Sequence, residues 1–405
     1  MSIAVITAEF NPFHNGHAYL IREALKHCGR AVVIMSGSFV QRGEPALIDK
    51  HRRARAALRA GADLVIELPL LYALAPAEIF ARGAILTANA LFAGQNTALV
   101  FGSESGDISY LKRLADAVSS RDGSFKETLM DALGQGMPYP KAMDLALSSS
   151  DKDPLSGYSL ANSPNDILAA EYIRSLSITG SDITPLPVKR KEGEDIAHAS
   201  DIRREPIPFD DRVLHFLPQY SLDEFRDISE SGVEKTVCAD DFSEALAYVL
   251  YAVSQNSLGE IADISGDLTN RILSLRRNFD CFTGFTRTVK TKAFTYARIS
   301  RCLTELLLGI TKRDRTAALG NNATYLRILG VRESSKDLLG QIGGSVSSGA
   351  PLIMRGADLH SERITGDPVL KRMIDLQLFA DAIYDQKRLG AGFRIAEEEK
   401  QPVII

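Results

Sequence analysis

The sequence predicts an α/β fold with a parallel sheet in its first half, followed by a mainly helical second half. Short apolar runs alternate with amphipathic helical patterns as far as about residue 205, which indicates parallel strands joined by crossover helices. Around Pro206, Pro208 and Pro218 this alternation stops, and apolar residues then recur at three- and four-residue spacing. We therefore predict two domains, 1–205 and 206–405, as suits a chain of 405 residues.

The elements of the first half alternate regularly. The predicted strands are IAVITAEF, AVVIMSG, DLVIELP, TALVFGSE and ITPLPVKR. The helical segments are HAYLIREALKH, DKHRRARAALRAG, PAEIFARGAILTANALF, ISYLKRLADAV and NDILAAEYIRSL. Ligands of such sheets bind beyond the carboxyl ends of the strands. The loops after ITAEF and TALVF should therefore face one crevice, whereas the Gly-, Pro-, Ser- and Asp-rich segment 134–163 predicts a long loop.

The second half begins with three helical patterns, DFSEALAYVLYAV, LTNRILSLRR and TYARISRCLTELLLGI. The later segments TYLRILGV and PLIMRG predict a short strand pair, and hence a small α/β end to this domain.

Composition excludes several classes of protein. No apolar run approaches the roughly 20 residues that span a bilayer, and the amino terminus lacks the pattern of a signal peptide, so we expect a cytoplasmic protein that does not contact membranes. The four cysteines are far apart, which predicts buried free thiols rather than zinc ligands or disulfides.

The most informative segment, EFNPFHNGH, lies where the first strand should lead into the first helix. Asn11-Pro12 predicts a turn, and Gly16 allows a phosphate to approach the free N–H groups at the helix start. His14 and His17 can then both donate hydrogen bonds to one phosphate, which would stabilise the charge that develops during attack on a phosphorus atom. The alternatives are two surface histidines at a helix cap, or a zinc site. We predict no metal site, because no convincing third ligand lies nearby.

Two further groups of residues follow the last predicted strand of this domain. Ser200 and Arg203, in HASDIRR, are candidates to hold the β- and γ-phosphates, although a helix-capping serine beside a solvated arginine would give the same pattern. The basic residues 189–191 close the strand, and at its carboxyl end they should face the crevice.

One stretch is strongly basic in a chain whose net charge is −4. Residues 271–315 contain 11 Lys and Arg against three acidic residues, an excess of +8. Such cations can bind phosphates, and interleaved aromatic residues can stack on unpaired bases. The alternative is that the aromatics belong to the core and the cations lie on solvated helix faces. The candidate RNA-binding residues are Arg276, Arg277, Lys290, Lys292, Arg298 and Arg301, and the aromatics are Phe279, Phe282, Phe285, Phe294 and Tyr296.

These motifs together resemble the tRNA(Met) cytidine acetate ligase family. The resemblance is carried by FNPFHNGH, SGSFVQRGEPALIDKHRRARAAL, GADLVIELP, FGSES and SPNDILAAEYI, and later by VKTKAFTYARISRCLTELLLGI and TYLRILGV. The HxGH element alone identifies only a superfamily of nucleotidyltransferases and class I aminoacyl-tRNA synthetases, whereas QRGEPA with DLVIELP is far narrower. The resemblance implies a Rossmann-like nucleotidyltransferase domain followed by a mainly helical RNA-binding domain.

The resemblance further implies an enzyme that uses ATP, with Mg²⁺ bridging the phosphates, to convert acetate to acetyl-adenylate. The acetyl group then passes to the wobble cytidine of elongator tRNA(Met), giving N-acetylcytidine. Two positions depart from the family pattern: Leu20 replaces a common histidine, and Ala293 interrupts a basic run. The ATP site carried over from the family comprises Thr7, Ala8, Glu9, Phe10, Asn11, Pro12, Phe13, His14, Asn15, Gly16, His17, Ala18, Tyr19, Leu20, Gly102, Asn165 and Arg190.

Two other functions remain open from the residues alone. A nucleotidyltransferase for a small phosphorylated metabolite would use the same histidines and ignore RNA. A non-catalytic RNA-binding module would need the basic stretch and not the histidines. The basic stretch in the second half of the chain argues against the metabolite nucleotidyltransferase. The intact HNGH motif argues against the non-catalytic RNA-binding module.

Overall fold

A single eight-stranded sheet organises the chain, in the order β5-β4-β1-β2-β3-β6-β7 with β8 paired to β6. The structure, a computed structural model, describes residues 2–92, 95–119, 123–135, 137, 139–149, 163–190, 202–203, 211–344, 349–389 and 401–405. The strands are β1 (Ile3–Ala8), β2 (Arg30–Ser36), β3 (Leu64–Leu68), β4 (Thr97–Ser103), β5 (Thr184–Lys189), β6 (Leu326–Val331), β7 (Leu352–Ile353) and β8 (Val403–Ile404).

The first five strands form the predicted Rossmann-like parallel sheet, which is confirmed. β1 pairs in parallel with β2 and β4, β2 with β3, and β4 with β5. β2 and β3 are almost wholly buried, because helices cover both faces of such a sheet and near-continuous apolar runs result. The covering helices of this half are α1 (Asn15–His27), α2 (Lys50–Arg59), α3 (Leu70–Ala73), α4 (Ala77–Phe92), α5 (Ile108–Ser119), α6 (Gly123–Gly134), α7 (Tyr139–Ser149) and α8 (Pro164–Thr179).

The middle of the chain is helical and has a core of its own. Leu246, Leu250, Phe285, Ile299 and Leu303 belong to one buried cluster that is separate from the cores on the two faces of the sheet. The helices after β5 are α9 (Asp211–Leu214), α10 (Gln219–Ser231), α11 (Ser243–Ala252), α12 (Gln255–Gly259), α13 (Gly266–Leu275), α14 (Phe282–Val289), α15 (Tyr296–Leu308), α16 (Lys312–Gly320), α17 (Asp337–Gly344), α18 (Glu362–Thr365) and α19 (Pro368–Arg388).

The chain then returns to the sheet of the first half. TYLRILGV and PLIMRG do form strands, β6 and β7, which pair in parallel. However, β6 also pairs antiparallel with β3, so these strands extend the first sheet instead of forming a small unit of their own. One sheet therefore contains strands from both sides of residue 205, and the division into 1–205 and 206–405 stays a prediction.

The predicted long loop over residues 134–163 is wrong in part. α6 ends at Gly134, and α7 occupies Tyr139–Ser149 within the segment. Residues 150–162 lie outside the described residues. The glycine- and proline-rich composition marks the ends of α7, while Ala142, Met143 and Ala146 give it a buried face.

A buried charge cluster joins the two ends of the chain. The Lys50 ammonium at the start of α2 lies 2.9 Å from a Glu67 oxygen and 2.6 Å from an Asp381 oxygen. The Arg327 guanidinium lies 3.5 Å from Glu67 and 3.4 Å from Asp381, so two cations balance two carboxylates. Gln377 donates a further hydrogen bond to Glu67. Buried charges are tolerated when they are paired and hydrogen-bonded in this way.

We predict that Lys50→Met lowers the free energy of unfolding by about 3–5 kcal/mol, because it leaves two buried carboxylates with Arg327 as their remaining cation. Urea titration followed by circular dichroism measures the change. The matched control is Lys26→Met, at a lysine that is 60% exposed and paired on the surface with Glu23; we expect a change of about 0–1 kcal/mol there. Equal effects of the two substitutions would contradict the conclusion that Lys50 balances buried carboxylates.

Candidate nucleotide-binding site

A cavity lies at the carboxyl ends of β1, β4 and β5. β1 and β4 are the neighbours at which the strand order reverses, and this switch point is where open α/β sheets bind ligands. Both the loop after β1 and Gly102 line it, so the prediction that they face one crevice is confirmed. The lining residues are Thr7, Ala8, Glu9, His14, Gly16, His17, Tyr19, Leu20, Gln41, Arg42, Phe80, Phe101, Gly102, Asn165, Leu168, Tyr172, Val188, Lys189 and Arg190.

The two histidines cap the first turn of α1 through their own ring nitrogens. His14 Nδ1 accepts the Gly16 N–H at 3.1 Å, and His17 Nδ1 accepts the His14 N–H at 3.2 Å. The rings stack, with their centroids 3.7 Å apart. In a neutral imidazole one nitrogen accepts and the other donates, so these bonds place a proton on each Nε2. Two Nε2–H donors thus belong to residues that line the cavity.

The protonation state of His17 follows from its surroundings. Burial, the neighbouring His14 ring and the Arg190 guanidinium all hold the pKa of His17 well below its ordinary value. Protonation would also put a hydrogen on Nδ1, where the His14 N–H already points. His17 is therefore a neutral donor near neutral pH.

The far side of the cavity is built from β4, β5 and the start of α8. A side chain at Gly102 would meet the Arg190 side chain, which packs 3.6 Å from that position. Glu104 accepts hydrogen bonds from the Asn165 side chain and from the Asp166 backbone N–H, and thereby caps α8. This cap fixes Asn165 at the cavity wall.

Sequence reasoning missed Gln41 and Arg42, which a loop after β2 brings to the cavity. α15 holds this loop, because Ser300 and Thr304 both donate to the Gly43 carbonyl, at 2.8 and 2.7 Å. Gly43 has a φ of +80°, and a Cβ there would lie 2.2 Å from the Arg301 backbone nitrogen, so only glycine fits. The sequence marks Gln41 and Arg42 only as part of the family motif QRGEPA, because their place at the cavity depends on a helix more than 250 residues later.

The predicted site residues that do not line the cavity support it from behind. Phe10 and Phe13 are buried, and their rings lie 4.8 and 5.6 Å from the His17 ring. The Asn11 side chain accepts the Leu47 N–H at 2.8 Å. Pro12 is buried in the same turn, the Asn15 side chain donates to the His215 carbonyl, and the partly buried Ala18 packs against the core.

Of the two candidates for the β- and γ-phosphates, the structure describes Arg203, which is not among the described residues that line the cavity. Arg203 donates to the Asn11 carbonyl at 2.7 Å and pairs with Glu44 at 3.2 Å, so its guanidinium supports the loop. Ser200 lies outside the described residues, as does Lys191. Lys189 and Arg190, by contrast, line the cavity as the position at a strand's carboxyl end predicted.

The six candidate RNA-binding residues differ in exposure and pairing. Arg277, Lys290 and Lys292 are exposed, and Arg276 and Arg298 are half-buried. The Arg301 guanidinium instead lies 2.8 Å from Asp263 in an ion pair, with its side chain 13% exposed. The prediction of a phosphate contact therefore fits Arg301 poorly.

The interleaved aromatics belong to the core more than to the surface. Phe282 and Phe285 are buried in the helical core, and Phe279 and Phe294 pack against it. For Phe282 and Phe285 the prediction of stacking on bases is therefore wrong, and the core alternative holds. Tyr296 is half-buried.

The comparisons with known proteins agree with this geometry. A family model described as HIGH Nucleotidyl Transferase matches residues 1–393. The tRNA(Met) cytidine acetate ligase of Acetivibrio thermocellus is 33% identical over the full length of both chains, and that of Thermoanaerobacter sp. (strain X514) is 36% identical over 95% of each. The crystal structure of Thermotoga maritima TmcAL bound with alpha-thio ATP is 28% identical, with a TM-score of 0.88 over both whole chains.

The fold, the histidine pair at the switch point and the family model together define a HIGH nucleotidyl transferase. Within this class, the two tRNA(Met) cytidine acetate ligases named above are 33% and 36% identical to the chain over 95% or more of its length. The chain belongs to the tRNA(Met) cytidine acetate ligase family, as the sequence motifs predicted.

We predict that the His17 ring stays neutral, with its proton on Nε2, at pH 6.5, the ordinary pKa of a histidine. Long-range ¹H–¹⁵N NMR spectra recorded through a pH titration report both the charge and the tautomer. Arg190→Ala should raise the pKa of His17, because it removes a nearby positive charge, whereas Arg22→Ala on the exposed face of α1 should leave it unchanged. A wild-type His17 that titrates at or above pH 6.5 would refute the interpretation.

Proposed function

We propose that this chain is an ATP-dependent ligase that activates acetate as acetyl-adenylate and transfers the acetyl group to the wobble cytidine of elongator tRNA(Met). The observation that carries the proposal is the stacked pair His14 and His17, two residues that line a cavity at the switch point of the sheet. Membership of the family supports the choice of substrates. Such substrates would place the activity in the cytoplasm.

In the first step an acetate oxygen attacks the α-phosphorus of ATP, and the bond to pyrophosphate breaks. Acetate is already an anion, so no general base is required. Negative charge grows on the phosphoryl oxygens and on the leaving pyrophosphate, and preorganised donors lower this barrier. His14 and His17 supply ring N–H donors, of which His17 is neutral, while Arg42, Lys189 and Arg190 supply positive charge along the same cavity.

In the second step the exocyclic amine of cytidine attacks the acetyl carbonyl carbon, AMP leaves, and the amine loses a proton. AMP is a good leaving group, so this step needs mainly the positioning of an unpaired base beside the adenylate. The exposed cations Arg277, Lys290 and Lys292 are candidates to bind the tRNA backbone.

Mg²⁺ bridging the phosphates is part of the proposal as a component of the nucleotide substrate. Among the described residues no group of three His, Cys, Asp or Glu side chains lies together in a way that could hold a metal ion. Mg²⁺ commonly keeps several waters and binds through substrate phosphates with few protein ligands. The residues therefore fit an ion that arrives with ATP better than a metal cage built by the protein.

One assay separates this function from its alternatives. The protein is incubated with ATP, labelled acetate and bulk tRNA, and label is sought in RNA. Label in tRNA supports the ligase. A nucleotidyltransferase for a small phosphorylated metabolite would leave the RNA unlabelled, and a non-catalytic RNA-binding module would release no pyrophosphate.

We predict that His14→Ala and His17→Ala each reduce acetate-dependent ATP–pyrophosphate exchange by about 100- to 1,000-fold, the usual effect of removing one transition-state donor. The fold should survive, because loss of a helix cap costs only about 0.5–2 kcal/mol. His27→Ala, at the exposed far end of the same helix, is the matched control and should exchange normally. Near-normal exchange by His17→Ala would remove the histidines from the mechanism.

A second substitution tests whether activation and transfer separate. We predict that the triple variant Lys290→Ala, Lys292→Ala, Arg298→Ala keeps normal pyrophosphate exchange without tRNA and loses acetyl transfer to tRNA. The affinity of the wild type for tRNA should also fall steeply with salt, because each neutralised phosphate releases counterions. Equal loss of both activities in a folded variant would assign the cations to the ATP site, and retention of both would place the RNA contacts elsewhere.

A further inference from the structure

Helix α11 exposes two tyrosines that the function so far described does not use. Tyr248 is 77% exposed, the most of any large hydrophobic side chain in the described part of the chain, and Tyr251 is 53% exposed. Residues three apart lie on the same face of a helix, so the two rings are neighbours. On the opposite face Leu246 and Leu250 are fully buried, which fixes the helix on its core and directs the tyrosines outward.

Tyr251 lies beside a turn that carries two arginines. The Tyr251 hydroxyl donates to the Arg276 carbonyl at 3.1 Å, which holds the ring against the turn Arg276–Asn278. This turn carries two adjacent arginines, and Arg277 is exposed. Within the described part of the chain, no salt bridge is seen for Arg276 or Arg277. Exposed Glu244, one turn before Tyr248, bounds the patch on one side.

Tyrosine rings beside arginines match the chemistry that binds unpaired nucleic-acid bases. Bases stack on aromatic faces and on guanidinium planes, and the cations also attract the backbone phosphates. A protein-docking patch would be expected to include aliphatic side chains, but the exposed aliphatic residues Met130, Leu145 and Ile178 lie on other helices. The composition therefore favours RNA over a protein partner.

We propose that Tyr248, Tyr251, Arg276 and Arg277 form a stacking platform for unpaired bases of the RNA substrate. This inference rests on the proposed function and adds the aromatic contact that buried Phe282 and Phe285 cannot supply. Tyr248 is the main stacking ring because it is the more exposed. The exposed part of the Tyr251 ring also stacks. The Tyr251 hydroxyl donates to the Arg276 carbonyl and so holds the arginine turn in place.

The test uses the full-length double variant Tyr248→Ala, Tyr251→Ala. We measure the Kd for tRNA(Met) by fluorescence anisotropy, the KM for tRNA in acetyl transfer, and pyrophosphate exchange without tRNA. Because the variant loses base stacking, Kd and KM should rise about 10-fold or more. Pyrophosphate exchange should stay normal, which shows that the protein is folded. Tyr248→Phe with Tyr251→Phe keeps both rings and should restore most of the affinity.

The matched control is Phe379→Ala, which removes an aromatic ring of 48% exposure from α19; its Kd for tRNA should not change. An unchanged Kd in the double alanine variant would overturn the platform, as would an equal loss in the phenylalanine variant, since that would assign the effect to the hydroxyl groups. A wild type that binds tRNA without acetylating it would defeat the proposed function alone, because the Kd comparison needs no acetyl transfer. A change in oligomeric state with no change in Kd would instead identify a protein interface and also overturn the proposal.

Discussion

The buried ion cluster around Lys50 determines how the chain is assembled. Its four charges come from α2, β3, β6 and α19, so both ends of the sequence must be present before any of these charges is fully paired. An incomplete cluster would leave a charge in the core without its partner, which is strongly destabilising. The sheet of the first half is consequently completed by the last strands, and the nucleotide cavity belongs to the whole molecule.

The same assembly reaches the cavity through one loop. Ser38 donates to Asp381 of the cluster at 2.6 Å, and a few residues later Gln41 and Arg42 line the cavity. Gly43, the next residue in this loop, accepts two hydrogen bonds at its carbonyl from side chains of α15. The helical region that carries the candidate RNA contacts is therefore packed directly on the loop that shapes the nucleotide site. Neither region can shift far without disturbing the other.

Local patterns predicted the local structure well. Apolar spacing located the first five strands and eight of the nineteen described helices. The strand–turn–helix context singled out His14 and His17. Contacts between distant segments left no such signal. Nothing near Arg301 shows that it pairs with Asp263, and nothing in TYLRILGV shows that β6 would lie antiparallel to β3. The sequence also left open whether the aromatics of the basic stretch are buried or exposed. Amphipathic spacing does not show which face of a helix packs against a core.

The use of histidine as a helix cap gives the protein a sensitivity to acid. Serine or aspartate commonly caps a helix through oxygen atoms, whereas here each cap is an imidazole nitrogen that must remain unprotonated. The unfolded chain takes up a proton at His17 near its ordinary pKa, and the folded chain resists it. Acidification through that range therefore favours the unfolded chain. A single proton on His17 Nδ1 would remove both a hydrogen bond that caps the start of α1 and the neutral donor at the cavity.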